Sequence, residues 1–131
     1  MQSSLSISVI TVDNQFISIF TEIQLPQSDR GGMLLTDRID ALNFRIRESE
    51  AGYESSWHVA GDPTMIIIQQ GILRIVLRNE ESKDFSSGDI FIAQDYLPDN
   101  TVFDEAINGH RAEVIGDEKL KAVHIKLSSR F

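Results

Sequence analysis

The chain contains no cysteine. Disulfides, thiolate metal sites and a cysteine nucleophile are thereby excluded, and a reducing cytoplasm is the expected location. Basic charge is also scarce. Twelve Lys and Arg stand against 20 Asp and Glu in 131 residues, a formal net charge of −8. Such a surface repels phosphate backbones and the anionic face of a bilayer, so neither nucleic acid nor membrane is expected as a partner. Solubility is the ordinary consequence of this acidity. No apolar run approaches the ~20 residues that a membrane-spanning helix needs. Met1-Gln2-Ser3-Ser4 lacks the basic region that opens a signal peptide, so none is expected. Gly31-Gly32 has neither the lysine nor the strand-to-helix setting of a phosphate-cradling loop.

What remains is 41% hydrophobic, enough for one core, and the whole chain 1–131 is expected to be a single domain. Its apolar residues come in short runs. Leu5 to Val12 alternates with serine and threonine and reads as a strand, ended by the Asp13-Asn14 turn. Gln15 to Leu25 fits a strand or, through Phe16, Ile19, Phe20 and Ile23, a helix; Pro26 is expected to stop either. Gln27 to Gly32 reads as a loop. Asn43 to Glu48 alternates, with Phe44 and Ile46 expected inward and Arg45 and Arg47 on the opposite face. Met65 to Gln70 and Ile72 to Arg78 are apolar runs parted by Gly71, followed by a turn at residues 79–82. Gly88-Asp89 is a corner before Ile90 to Ala93. Residues 94–109 form a long loop that could act as a lid. Arg111 to Ile115 and Leu120 to Leu127 close the set. Eight or nine short strands at about ten-residue spacing predict an all-β sandwich or closed barrel of the jelly-roll type, with the N-terminal strands of 1–56 packing on it or extending it.

From Trp57 to Leu127 the chain resembles the cupins, which fold as a double-stranded β-helix barrel. The first cupin motif carries two histidines, a glutamate and then a glycine. Aligned on Gly71, those positions here are His58, Ala60 and Thr64. The second motif opens on a Gly-Asp corner, matched by Gly88-Asp89, and its histidine matches His110. Trp57-His58, Gln70-Gly71, Ala93-Gln94-Asp95 and Gly109-His110-Arg111 resemble more narrowly a subgroup of small cupin-like proteins of unassigned function. The resemblance implies the barrel and a homodimer. It also implies a metal site of three histidines and a glutamate, of which two positions have become Ala60 and Thr64. A strand at Leu5 to Val12 adding to a partner's sheet edge is the expected route to the dimer.

The candidate chemistry gathers on few residues. His110 shares a face with Ala112 and Val114 and is expected inward; His58 follows if the cupin register holds. His124 lies opposite Val123, Ile125 and Leu127 and is expected at the surface, not as a ligand. A divalent metal (Fe, Zn, Mn or Ni) could sit on His58, His110 and a carboxylate, Asp95 first and Asp62 second. The alternative is no cofactor at all, with both imidazoles as hydrogen-bonded barrel residues or as a proton-transfer base. Trp57, Tyr96 and Phe103 could stack on a ligand or cover the mouth, or simply pack. Arg45 and Arg47 read as a solvated face before they read as an anion site. Three functions follow: a small-molecule binder with a degenerate metal site, a metal-dependent isomerase or dioxygenase using His58, His110 and an aspartate, and a structural dimer with a filled barrel.

Overall fold

The computed structural model describes residues 3–131; Met1 and Gln2, on which the expectation about a signal peptide falls, lie outside the described residues. No helix occurs among the described residues. The ten strands are β1 (Ser3–Val12), β2 (Ser18–Arg30), β3 (Met33–Thr36), β4 (Ala41–Ser49), β5 (Thr64–Gln70), β6 (Ile72–Val76), β7 (Ser82–Phe85), β8 (Ile90–Ala93), β9 (Arg111–Ile115) and β10 (Leu120–Leu127). They form a seven-stranded sheet, β3-β2-β1-β8-β5-β10-β4, and a three-stranded sheet, β7-β6-β9. All pairs are antiparallel except β1 with β8. The two sheets share no ladder of hydrogen bonds, so the architecture is all-β and barrel-like without being a closed barrel.

The main core lies between the sheets. Ile66 and Ile68 of β5, Phe91 of β8 and Leu120 and Ala122 of β10 face Leu73 and Ile75 of β6, Phe85 of β7 and Val114 of β9. The rings of Phe85 and Phe91 stack across the gap at 4.1 Å. A second apolar cluster covers the other face of the large sheet, where Ile7, Val9, Ile92 and Leu127 meet Ile23, Met65 and Ile125. Residues 37–40 run from β3 to β4, the two edges of one sheet, and Ile39 packs into this second cluster. Laid flat, seven strands would span about 29 Å, whereas the chain from Thr36 to Ala41 reaches about 17 Å. The large sheet must therefore be strongly curled.

Several expectations are corrected here. The segment 15–25 is strand, and β2 runs on through Pro26 to Arg30. Pro26 pairs with Ser4 on one side, while β3 begins its pairing only at Gln27, so the missing N–H leaves no ladder bond unmade. The supposed loop 27–32 is the end of β2 and a two-residue turn at Gly31-Gly32, both with positive φ (63° and 95°), which a tight hairpin of this hand requires. Leu5 to Val12 is indeed strand; β1 lies between β2 and β8, and β8 pairs with Ser8 to Ile10 alone. On β4 the faces are the reverse of those expected. Val123 and Ile125 of β10, which face outward, pair with Ile46 and Phe44, while Ala122 and His124, which face the core, pair with Arg47 and Arg45. Leu42, Phe44 and Ile46 are thus exposed at 65%, 68% and 65% on an unpaired edge strand.

Candidate functional site

His58 and His110 build the first part of the site. The segment 52–58 runs beside β9 as an irregular extra strand, with His58 N–H donating to His110 O at 2.9 Å and His110 N–H returning to His58 O at 2.9 Å. Gly109 makes this crossing possible. Its φ is +81°, and a Cβ there would lie 2.5 Å from His58 O. The crossing sets the two imidazoles side by side, ring centroids 4.6 Å apart and tilted by 56°.

Behind His110 sits Asp95, 0% exposed. Its Oδ2 accepts from the Ser18 hydroxyl at 2.7 Å and from His110 Nδ1 at 2.7 Å, and its Oδ1 accepts from Ala60 N–H at 3.0 Å. A buried carboxylate keeps its charge only with such partners. Because the carboxylate can only accept, His110 carries its proton on Nδ1 and leaves Nε2 bare when neutral. His58 does the same by donating from Nδ1 to Ser56 O at 2.8 Å. Desolvation pushes the His58 pKa below its usual value, and the neighbouring His110 and Arg47 add to this against the opposing Ser56 carbonyl and Asp95.

The imidazoles open onto a cavity of about 210 Å³ between the sheets. Its walls are apolar: Ile66, Leu73, Ile75, Phe91, Ala93 and Ala112. Ala60 and Thr64, at the lost motif positions, also line it beside His58. So do two residues that the sequence placed elsewhere, Arg47 and His124. His124 is half-buried rather than at the surface, and its Nε2 is the one buried side-chain polar atom without a hydrogen-bond partner among the described residues. Burial first, then Arg47 and Arg45, push its pKa down to about 4. Arg47 has its own pKa lowered by burial, donates to Ser49 Oγ at 3.0 Å and lies 5.5 Å from the Tyr53 ring. It forms no ion pair among the described residues. Arg47, Thr64 and His124 also line an outer groove of about 380 Å³ with Arg45, Glu48 and Lys126, which forms the cavity's mouth.

The other candidates lie elsewhere. Trp57 is stacked under Arg78, whose guanidinium carbon is 3.8 Å from the ring centroid, and does not line the cavity. Tyr96 packs edge-on against Phe16 and beneath Arg130, in a shallow surface depression outside the barrel. Phe103 is half-buried and does not line the cavity either, so the loop 94–109 places neither aromatic as a lid. Asp62 is exposed and paired with Lys126 Nζ at 3.2 Å.

Metal fit is decided by the third donor. Two imidazoles with Nδ1 committed and Nε2 bare have the orientation that metal ligands need. Yet no group of three or more His, Asp or Glu with the geometry to hold an ion occurs among the described residues. Ala60 and Thr64 supply none, both oxygens of Asp95 are taken up behind His110, and His124, though it lines the same cavity, does not group with the other two imidazoles around an ion position. The residues present therefore do not fit a resident metal.

No family model matches the chain, and no curated protein matches it. No helix is long and apolar enough to cross a membrane among the described residues. Among solved structures, ToxT from Vibrio cholerae is 15% identical with a TM-score of 0.51, over 69% of this chain and 32% of that one, so the chain spans about a third of ToxT. A cupin-2 domain containing protein from Shewanella frigidimarina is 19% identical, TM-score 0.47, over 69% of this chain and 78% of that one. A cupin 2 conserved barrel domain protein from Rhodopseudomonas palustris is 11% identical, TM-score 0.48, over 100% and 82%. At identities of 11 to 19% these likenesses concern the fold alone, and the fold is all-β.

Proposed function

We propose that the chain is a metal-independent, cupin-like binder of a small molecule, held between its two sheets in a double-stranded β-helix (jelly-roll) arrangement. One observation carries the proposal: the cavity has apolar walls and bare imidazole nitrogens, while the nearest carboxylate is spent on positioning His110. Few convergent polar groups over an apolar floor are what small-ligand sites have in common. ToxT, similar in fold only, has itself been solved with (E)-4-(8-methylnaphthalen-1-yl)but-3-enoic acid bound. A cytoplasmic binder without cysteine loses nothing to reducing conditions.

The test is elemental analysis of protein purified without a nickel column, together with a thermal-shift screen of small organic molecules. The proposal expects no stoichiometric metal, no loss of stability on chelation, and hits that disappear when Ala112→Phe fills the cavity. A transition metal near one per chain, lost in His58→Ala or His110→Ala, overturns it in favour of a metal-dependent enzyme on those two imidazoles.

We further propose that the chain is a homodimer. The exposed row Leu42, Phe44 and Ile46 on the free edge of β4 supports this, since an apolar edge strand is a template for pairing and two identical edges complement each other about a two-fold axis. Sedimentation at micromolar concentration is the measurement, and a monomer there removes the claim.

A further inference from the structure

We infer that the cavity takes a small monocarboxylate with a short apolar body, its carboxylate at the mouth on Arg47 and His124 and its body among Ile66, Leu73, Ile75 and Phe91. The inference rests on the small-molecule reading above and names the class of ligand.

Charge is the first ground. The chain has a net charge of −8, yet Arg45, Arg47 and Lys126 line one groove with a single acidic residue, Glu48. Lys126 is already paired with Asp62 and Arg45 is exposed, but Arg47 is half-buried with no acidic partner among the described residues. A guanidinium drawn out of water without a counter-ion is costly, and a ligand carboxylate would supply that counter-ion in the two-point geometry the group favours.

The second ground is the unpartnered Nε2 of His124. Both residues line the groove and the inner cavity alike, so a group on them has its head in the groove and its remainder in the barrel. The third ground is size. About 210 Å³ admits roughly seven water-sized groups. That suits a short hydrocarbon. Arg45 is also unpaired among the described residues but exposed, so Arg47 is the half-buried cation of the groove without a counter-ion, which suits a single negative charge.

Binding then carries a proton with it. His124 faces Arg45 and Arg47 from β4, with Glu48 and Lys126 along the groove and His58 and His110 lining the same cavity; its β5 neighbours Thr64 and Ile66 are uncharged. Burial first and the arginines second keep this ring neutral; a carboxylate set between Arg47 and His124 offsets the repulsion and pairs with the charged ring, so His124 takes up a proton and Nε2–H donates to the ligand.

The experiment is isothermal titration of the intact chain with hexanoate, hexan-1-ol and inorganic phosphate at pH 7.5 and 5.5, on the natural sequence and on Arg47→Gln and Arg47→Lys. The expected result is hexanoate at least about tenfold tighter than hexan-1-ol, tighter still at pH 5.5. Arg47→Gln should erase the difference and Arg47→Lys restore part of it. Equal binding of acid and alcohol, or tighter binding of phosphate, overturns the carboxylate assignment and leaves the binder standing. Binding of none of the three overturns both. A melting curve of Arg47→Gln matching the natural chain shows that a lost affinity is not a lost fold.

Discussion

His124 ties the stability of this chain to pH in a way that can be worked out in advance. Its ring sits half-buried near Arg47 and Arg45 and protonates in the folded chain only at about pH 4, against 6.5 ordinarily. A histidine kept neutral by the fold stabilises it fully above its unfolded pKa. Below that, the unfolded chain binds the proton first, so stability falls as the pH drops from 6.5 towards 4. At 1.36 kcal/mol per pH unit the full displacement corresponds to about 3 kcal/mol. The ring is partly open to solvent, which screens its repulsion by the arginines, and about 1–2 kcal/mol is the realistic share. Urea denaturation at pH 7.5 and pH 4.5 measures it by comparing the natural chain with His124→Gln, which keeps a polar group but does not titrate. The natural chain should lose about 1–2 kcal/mol more than the variant between the two pH values. The other titratable groups are common to both proteins and cancel in the difference. Equal losses would refute the placement of His124 against the arginines.

Other perturbations follow from the same geometry. Asp95→Ala leaves Ser18 Oγ, Ala60 N–H and His110 Nδ1 without an acceptor and should cost about 3–5 kcal/mol in chemical denaturation, with Asp95→Asn costing less. Gly109→Ala forces a side chain into φ +81° against His58 O and should lower stability by more than about 2 kcal/mol, visible as a drop in melting temperature. Phe44→Lys lies on an exposed strand face; it should change monomer stability by under about 0.5 kcal/mol while shifting sedimentation from dimer to monomer.

The second half of the fold was legible because its strands obey a period of two on both walls of one core. Arg111–Ile115 and Leu120–Leu127 fall at the limits expected from sequence. His110 points inward with Ala112 and Val114 for the same reason. Parity sorts a strand into two sets but does not say which set faces the cavity. On β10 both sets are packed, since Ala122 lines the main core and Ile125 and Leu127 the second cluster, so the apolar set looked like the inner one and His124 was sent outside. On β4 the apolar set is the outer one, because the inner face borders a polar mouth. Arg47, read as a solvated face before an anion site, is turned towards the cavity by this inversion, and only the register with β10 shows it. Residues 33–36 and 52–56 carried no strand signal. The former are exposed apolar residues without alternation, and the latter pair with β9 mainly through backbone groups, helped by Ser55 Oγ accepting from Ala112 N–H.

The carboxylate of Asp95 joins parts of the chain that are far apart in sequence: Ser18 lies 77 residues away, Ala60 35 and His110 15. No hairpin or isolated sheet contains all four. The orientation of His110 is therefore a late event in folding, available only after the loops between these residues have closed, in a topology whose many distant pairings make closure slow. Its imidazole resonance should consequently appear with the last kinetic phase of refolding, and fragments of the chain should retain strands without ever assembling the pocket.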